Sequence, residues 1–389
     1  MSFQKLVYRT GILICLFASA AHAGGLAWQQ RSNTGPSARF LHSMAYDSAR
    51  RVTVLFGGNT AAGYNGETWE WNGDTWTQRT APGPAARAGA AMTFDSNRNV
   101  VVLFGGHNST TYFPDTWEYN GVSWTVRPVG GVSPRTAAEM TFDSERNVCV
   151  LFGGVSGSGY PTNTCEWNGT AWTLFPQAGP MGRIMHAMAF DSSLGVTVLF
   201  GGDFQASFYY NDTWEWSGTA WVQTPLGSPP NTPGRLTGFA MAYDAARRAI
   251  YLYGGWTADT VRRDDLWERK GTTWTRMPRP PLVPFPRAEH AMVYDSFRRR
   301  MVVFGGHSGP PTTARRETFE LVPTCPCDLN NDNVVNDLDF ELFAPAYNML
   351  DCADPLMPEA CPADLNIDGF VDDADFQIFL VGYNTLECE

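Results

Sequence analysis

Six times along this chain of 389 residues an apolar run ends in two glycines, the first of each pair at 57, 105, 153, 201, 254 and 305. The first copy reads Met44-Ala-Tyr-Asp47 and then Leu55-Phe56-Gly57-Gly58, and the same order of residue types precedes Gly106, Gly154, Gly202, Gly255 and Gly306. The period is 48 to 53 residues. Each period holds four short β-type runs separated by turn residues. In the second copy they are Ala91–Asp95, Val100–Phe104, Thr116–Tyr119 and Ser123–Arg127, with turns at Asp95-Ser-Asn97 and Asn120-Gly121. The double glycine lets the chain leave the second strand where a side chain would clash.

Repeats of this length, each a four-stranded unit, predict a mainly β architecture, a six-bladed propeller rather than a doubly wound sheet. The pattern resembles the kelch family over residues 26–322. A hydrophobic strand precedes the double glycine, an aromatic third strand follows, and the fourth strand carries Trp76, Trp124, Trp172, Trp221 or Trp274. The sixth copy has a third strand, Glu317–Val322, but no following Trp strand. The missing piece lies at the other end: Trp28-Gln-Gln-Arg31 copies Trp76-Thr-Gln-Arg79, and Trp28 to Arg39 and Trp76 to Arg87 are both 11 residues apart. The N-terminal strand is therefore expected to close the last blade and cover an edge that would otherwise stay open.

The loops before strand one and after strand two emerge on one face of such a unit. An arginine recurs before strand one, at Arg39, Arg87, Arg135, Arg183, Arg235 and Arg287. Two readings stand: structural arginines that bond carbonyls, as in kelch repeats, or a ring that recognises carboxylates of an acidic sugar or peptide. The loops after strand two carry Tyr64, Tyr112, Phe113, Tyr160, Phe204, Phe208, Tyr209, Tyr210 and Trp256. Flat rings beside arginine suit sugar faces; the other reading has them fold back on their own blades. Tyr209, Tyr210 and Trp256 join the six arginines as the candidate ligand site.

Kelch-family enzymes include a copper oxidase, whose Tyr, His and cross-linked Cys set has no counterpart here. They also include a sialic acid mutarotase, whose chemistry rests on Arg and Glu in the channel. Glu139 and Glu289 keep that comparison open. Histidines at 42, 107, 186, 290 and 307 spread too widely around a ring to converge on one metal. Cys149 and Cys165 fall on neighbouring strands of the third blade, as a cross-strand disulfide or as two buried thiols.

Residues 1–23 read as a secretory signal, with Lys5 and Arg9, the apolar run Ile12–Ala18 and Ala21-His22-Ala23 before Gly24. No later stretch is apolar for the ~20 residues a membrane helix needs. The net charge of -11 is uneven: from Cys325 onward there are 15 acidic residues and no Lys or Arg, while residues 24–324 carry 24 acidic and 26 basic residues. Neither piece has the concentrated basic field that nucleic acid requires. The expected domains are a propeller over 24–324 and an acidic module over 325–389.

That module repeats with a period of 36: Cys325 matches Cys361, Asp328 matches Asp364, and Cys352 matches Cys388. Each copy opens with an acidic loop of twelve. Asp328, Asn330, Asp332, Asn336 and Asp339 occupy places 1, 3, 5, 9 and 12, and Asp364, Asn366, Asp368, Asp372 and Asp375 repeat them. Oxygen donors at this spacing wrap calcium, with the carbonyls of Val334 and Phe370 at place 7. An apolar helical stripe follows each loop: Phe340, Phe343, Tyr347, then Phe376, Phe379, Tyr383. Loop and exiting helix, twice, resemble a dockerin of the kind whose repeats end in Cys. The resemblance implies two calcium ions and a cohesin-like protein partner, or, more plainly, a calcium-stiffened end cap. Equal register pairs Cys325 with Cys352 and Cys361 with Cys388, leaves Cys327 alone, and leaves the crossed pairing open.

These readings predict a secreted, non-catalytic binding protein. Its propeller would recognise a glycan or protein, and its tail would tether it outside the cell. The rival is a glycan-processing enzyme, mutarotase-like or oxidase-like, delivered by the same tail.

Overall fold

The structure, a computed structural model, describes residues 26–176, 178–225, 232–279, 283–309, 313–323, 337–349, 363, 365 and 371–385. One compact unit spans Leu26–Val322, and the C-terminal residues from Pro323 belong to another.

In the first unit the described residues form six four-stranded antiparallel sheets. The second sheet is typical: Ala91–Asp95, Val100–Phe104, Thr116–Tyr119 and Trp124–Arg127 follow one another from inside to outside, within one residue of the expected runs. The six innermost strands, beginning with Ser43–Asp47 and ending with Ala291–Asp295, touch in sequence, and the last touches the first. Six sheets closed into a ring around an axis are a β-propeller. The sixth is completed by Leu26–Ser32, which lies beside Thr318–Pro323. Trp28 takes the place of the fourth-strand tryptophan there, 1% exposed and 4.6 Å from the ring of Tyr253.

Second strands such as Val100–Phe104 lie between two neighbours, so both faces are covered and the apolar run is continuous: Val101, Val102, Leu103 and Phe104 are all buried. Each such side chain contributes roughly 1.5–3 kcal/mol. Polar bonds then key each sheet to the one before. The fourth-strand indoles of Trp76, Trp124, Trp172, Trp221 and Trp274 donate to Thr318, Thr68, Thr116, Thr164 and Thr213 at 2.7–3.2 Å. Leu266 stands where the next threonine would be, and the indole of Trp28 is left without a partner. On the third strands Trp71, Tyr119, Trp167 and Trp216 donate to Glu320, Glu70, Glu118 and Glu166. In the fifth sheet Arg269 replaces the aromatic and binds Glu215.

Cys149 and Cys165 are both buried free thiols, which corrects the expected disulfide. Cys149 lies opposite Trp167 and Cys165 opposite Leu151. The pair is thus offset by two residues along the ladder, a diagonal separation of about 7–8 Å, too far for a bridge.

In the second unit, helices Asp337–Met349 and Asp373–Thr385 follow the two acidic loops. Phe343 and Phe379 are each 1% exposed and stack at 4.8 Å. Asp339 and Asp375, at place 12 of their loops, are fully buried. Asp375 accepts the backbone N–H groups of Leu365 and Asp372 at 2.7 and 2.9 Å. The cysteines 325, 327, 352, 361 and 388 and the proposed donors 328, 330, 332, 334, 336, 364, 366, 368 and 370 lie outside the described residues.

Candidate functional site

The arginines before strand one are clamps. Arg39, Arg87, Arg135, Arg183 and Arg287 are at most 1% exposed. Each donates through Nη1 to the carbonyl of the first glycine of its own repeat: Gly57, Gly105, Gly153, Gly201 and Gly305, at 2.9–3.1 Å. Asp115 and Asp212 take Arg87 and Arg183 in two-pronged pairs, and Glu67 takes Arg39. Buried and bonded inward, though Nη2 of Arg287 has no hydrogen-bond partner, these five present no guanidinium to the surface and leave the ligand site. Arg235 is exposed and out of register. Leu236 occupies the clamp position of the fifth sheet, its carbonyl accepting from Gly202 as that of Arg87 accepts from Gly58.

Tyr210 also leaves the site. The Arg183 guanidinium lies 3.9 Å over its ring, as Arg87 lies 3.8 Å over Phe113. These rings fold back to seal the clamps.

Two residues after the clamp position, Leu41, Gly89, Ala137, Met185, Gly238 and Glu289 all adopt φ between 53° and 65°. Five hydrogen bonds link their peptides head to tail around the axis, from Ala137 round to Met185. Gly89 donates to Leu41, Ala137 to Gly89, Gly238 to Met185, Glu289 to Gly238 and Leu41 to Glu289, at 2.7–3.0 Å. Only Gly tolerates this region freely, so four side chains with a Cβ are strained here by about 1 kcal/mol or more each. Sequence reading missed the ring, because nothing in the residue types of Leu41, Ala137 or Met185 announces positive φ.

Over the fourth to sixth sheets this ring carries a polar and aromatic cluster. Glu289 meets His307 at 3.3 Å (Oε2 to Nε2), and Nη2 of Arg262 lies 3.4 Å from the other ring nitrogen of His307. The guanidinium of Arg262 lies 4.5 Å over Trp256, whose ring centre is 5.7 Å from that of His307. Phe40 approaches His307 edge-on at 5.4 Å. Trp256 covers Gly238: a Cβ there would come within 2.9 Å of the indole. Asp203 accepts from Thr237 at 2.7 Å, and burial pushes its carboxyl above the usual range. Tyr209 lies opposite Asp203 in a short ribbon and within electrostatic reach of Arg262.

The loop is built rather than slack. Arg263 donates to Gly255 and Thr260 to Thr257 through backbone N–H groups, and the Arg263 side chain ties Thr257 to Asp259. Burial lowers the pKa of Arg262, which stays charged. Of the sequence candidates, Tyr209 and Trp256 belong to this cluster. Arg262 and His307 were missed as site residues; an arginine six residues after Trp256 on a long variable loop was the available signal.

His107 bonds Thr136 at 2.9 Å beside Tyr64 and Tyr112, and the other three histidines are wedges. His42, His186 and His290 pack edge-on against Phe304, Phe152 and Tyr253 of the preceding sheets, where Phe239 packs on Phe200. Burial, helped by Arg39 and Arg183, holds His42 and His186 down at about 3, and His290 lies well below its ordinary value. Among the described residues no three His, Cys, Asp or Glu side chains converge as a metal site.

No protein-family model matches the chain, and no curated protein matches it. Among solved structures, that of YjhT aligns with a TM-score of 0.58 at 14% identity, covering 73% of this chain and 95% of that one. An identity so low carries the fold and not the site. The chain is similar to YjhT as one β-propeller is to another.

Proposed function

We propose that this is a secreted binding protein, a six-bladed kelch-type propeller that takes a carbohydrate at the mouth of its channel over the fourth to sixth sheets. The Trp256–Arg262–His307 ledge carries this reading. The partly exposed indole and the guanidinium over it offer apolar and planar polar surface to a sugar ring, Glu289 and Tyr209 border them with polar groups, and the buried His307 and Asp203 hold the ledge in place from beneath. The five clamped arginines contribute no ligand contact. A glycan array of the mature protein, with Arg262→Ala alongside, tests it. Wild type should bind a defined set of glycans, and the variant should lose them at an unchanged melting temperature. A blank array, or identical binding by the variant, refutes it.

The Glu289–His307 pair is what favours the second reading, a glycan-processing enzyme, since a carboxylate and an imidazole in contact supply an acid and a base. Turnover of any array hit, followed by NMR of the sugar and abolished by Glu289→Gln, would establish that reading instead.

The tail is proposed to be dockerin-like, to hold two calcium ions and to dock on a cohesin-like partner outside the cell. Buried carboxylates at place 12 of both loops, each at the start of a helix, suit an all-oxygen donor set for a hard cation. Chelation of the full chain should lower helix content and leave the propeller's melting transition in place. An unchanged helix signal in chelator contradicts the calcium assignment.

A further inference from the structure

Inside the ring of sheets, one layer below the positive-φ residues, Glu139 is the single long polar side chain. The same register position holds Ser43, Ala91, Ala187, Ala240 and Ala291 in the other sheets. Glu139 borders three axial cavities of about 330, 100 and 70 Å³. The largest is lined next by one methionine from every sheet, Met44, Met92, Met140, Met188, Met241 and Met292, and then by six aromatic rings, Tyr46, Tyr243 and Tyr294 among them. It continues beyond the last strand residues Asp143 and Asp191 to Ser144 and Ser192.

Among the described residues no lysine or arginine borders any of these cavities. The titratable groups that share the narrow upper cavity with Glu139 are His42, His186, His290 and Glu289. The three histidines are neutral wedges, and Glu289 is taken by His307. Among the described residues Glu139 thus has no counter-ion. A lone carboxyl with soft thioethers and aromatic faces below it is the complement of a cation that carries carbon. A bare metal ion would need several oxygen donors instead.

We propose that the axial channel is a binding site for a small organic ammonium ion, with Glu139 as its counter-ion and the methionine and aromatic layers around its carbon skeleton. From the Glu139 layer to the aromatic layer is three residues of strand, about 10 Å, which suits a ring or a chain of four to six carbons. Burial pushes the Glu139 carboxyl up to about 8 in the empty channel. Below that pH the incoming ammonium must displace a proton from the carboxyl; above it the carboxylate is already present. Affinity should therefore rise about tenfold per pH unit up to about 8 and then level off until the amine itself loses its proton.

The test is calorimetric titration of the mature protein with cyclohexylamine and, as the neutral shape, cyclohexanol, at pH 6, 7, 8 and 9. Wild type should bind the amine with an affinity that climbs roughly fiftyfold from pH 6 to 8, while cyclohexanol shows no pH dependence. Glu139→Gln, and Glu139→Ala, which installs the residue the second, fourth, fifth and sixth sheets carry here, should bind the amine no tighter than the alcohol. The ¹³C shift of the Glu139 carboxyl gives a reading that needs no variant: its titration midpoint should fall when the amine is added. An absence of heat at millimolar amine and pH 9, a flat pH profile, an unmoved midpoint, or equal amine affinity in folded Glu139→Gln would each overturn the proposal.

Discussion

The second and fifth sheets share a template and use arginine in opposite ways. In the second, Arg87 is sealed under Phe113, bonds the Gly105 carbonyl and pairs with Asp115 through both prongs. In the fifth, Leu236 fills that position, and the corresponding carboxylate, Asp265, is taken from outside by Arg276 on the fourth strand. The loop of the fifth sheet is then free of a clamp to cover. Its aromatic, Trp256, lies under its arginine, Arg262, and beside His307 instead. A residue type that recurs in register is thus mostly architecture, and the proposed recognition surface sits where the recurrence fails.

The largest expected effect separates the two kinds of arginine. Arg87→Ala leaves Asp115 and the Gly105 carbonyl without their partner and should cost about 3–5 kcal/mol, whereas Arg262→Ala should stay within about 0.5 kcal/mol. Urea unfolding of both variants measures this, and comparable losses would erase the distinction between clamp and site.

The histidine wedges sharpen the comparison next. His42 and His186 have folded-state values near 3, depressed from 6.5 chiefly by burial. Their contribution is present above pH 6.5 and is lost as pH falls toward 3, by about 1.4 kcal/mol per pH unit and histidine. His186→Phe, copying Phe239 of the fifth sheet, should flatten part of that acid slope between pH 6.5 and 4. An unaltered slope would show the acid sensitivity to lie elsewhere.

Glu139 works in the other direction and more weakly, because its carboxyl opens on a cavity. Its folded-state value is raised to about 8 from 4.5 by burial, so its stabilisation is full below 4.5 and lost as pH rises through 8. Glu139→Ala should melt at least about 2 °C higher than wild type at pH 9, relative to their difference at pH 4. Parallel pH profiles for the two proteins contradict the assignment.

Most of the sheet architecture was legible in the sequence, because period-2 strands and tight turns are local and six copies reinforce one another. Even the pairing of Leu26–Ser32 with Thr318–Pro323 followed from matching Trp28 to Trp76. What escaped depends on three dimensions. Arg235 reads as the sixth member of the arginine series because a slip of one residue in a lengthened repeat is invisible in composition, and only the hydrogen bond from Gly202 reveals Leu236 in its place. Cys149 and Cys165 were placed on the right strands, but their offset is a matter of register. The positive-φ ring, and with it the stage on which Glu289 and Trp256 sit, has no residue signature except at Gly89 and Gly238.

The central claim is that recognition resides on the unclamped fifth-sheet loop. Its most direct test is a titration of the tightest array glycan into three proteins: wild type, Trp256→Ala, and Tyr112→Ala on the equivalent loop of the clamped second sheet. Trp256→Ala should weaken binding by at least tenfold, about 1.4 kcal/mol, while Tyr112→Ala binds as wild type does. Equal affinity in all three, or a loss confined to Tyr112→Ala, would contradict it.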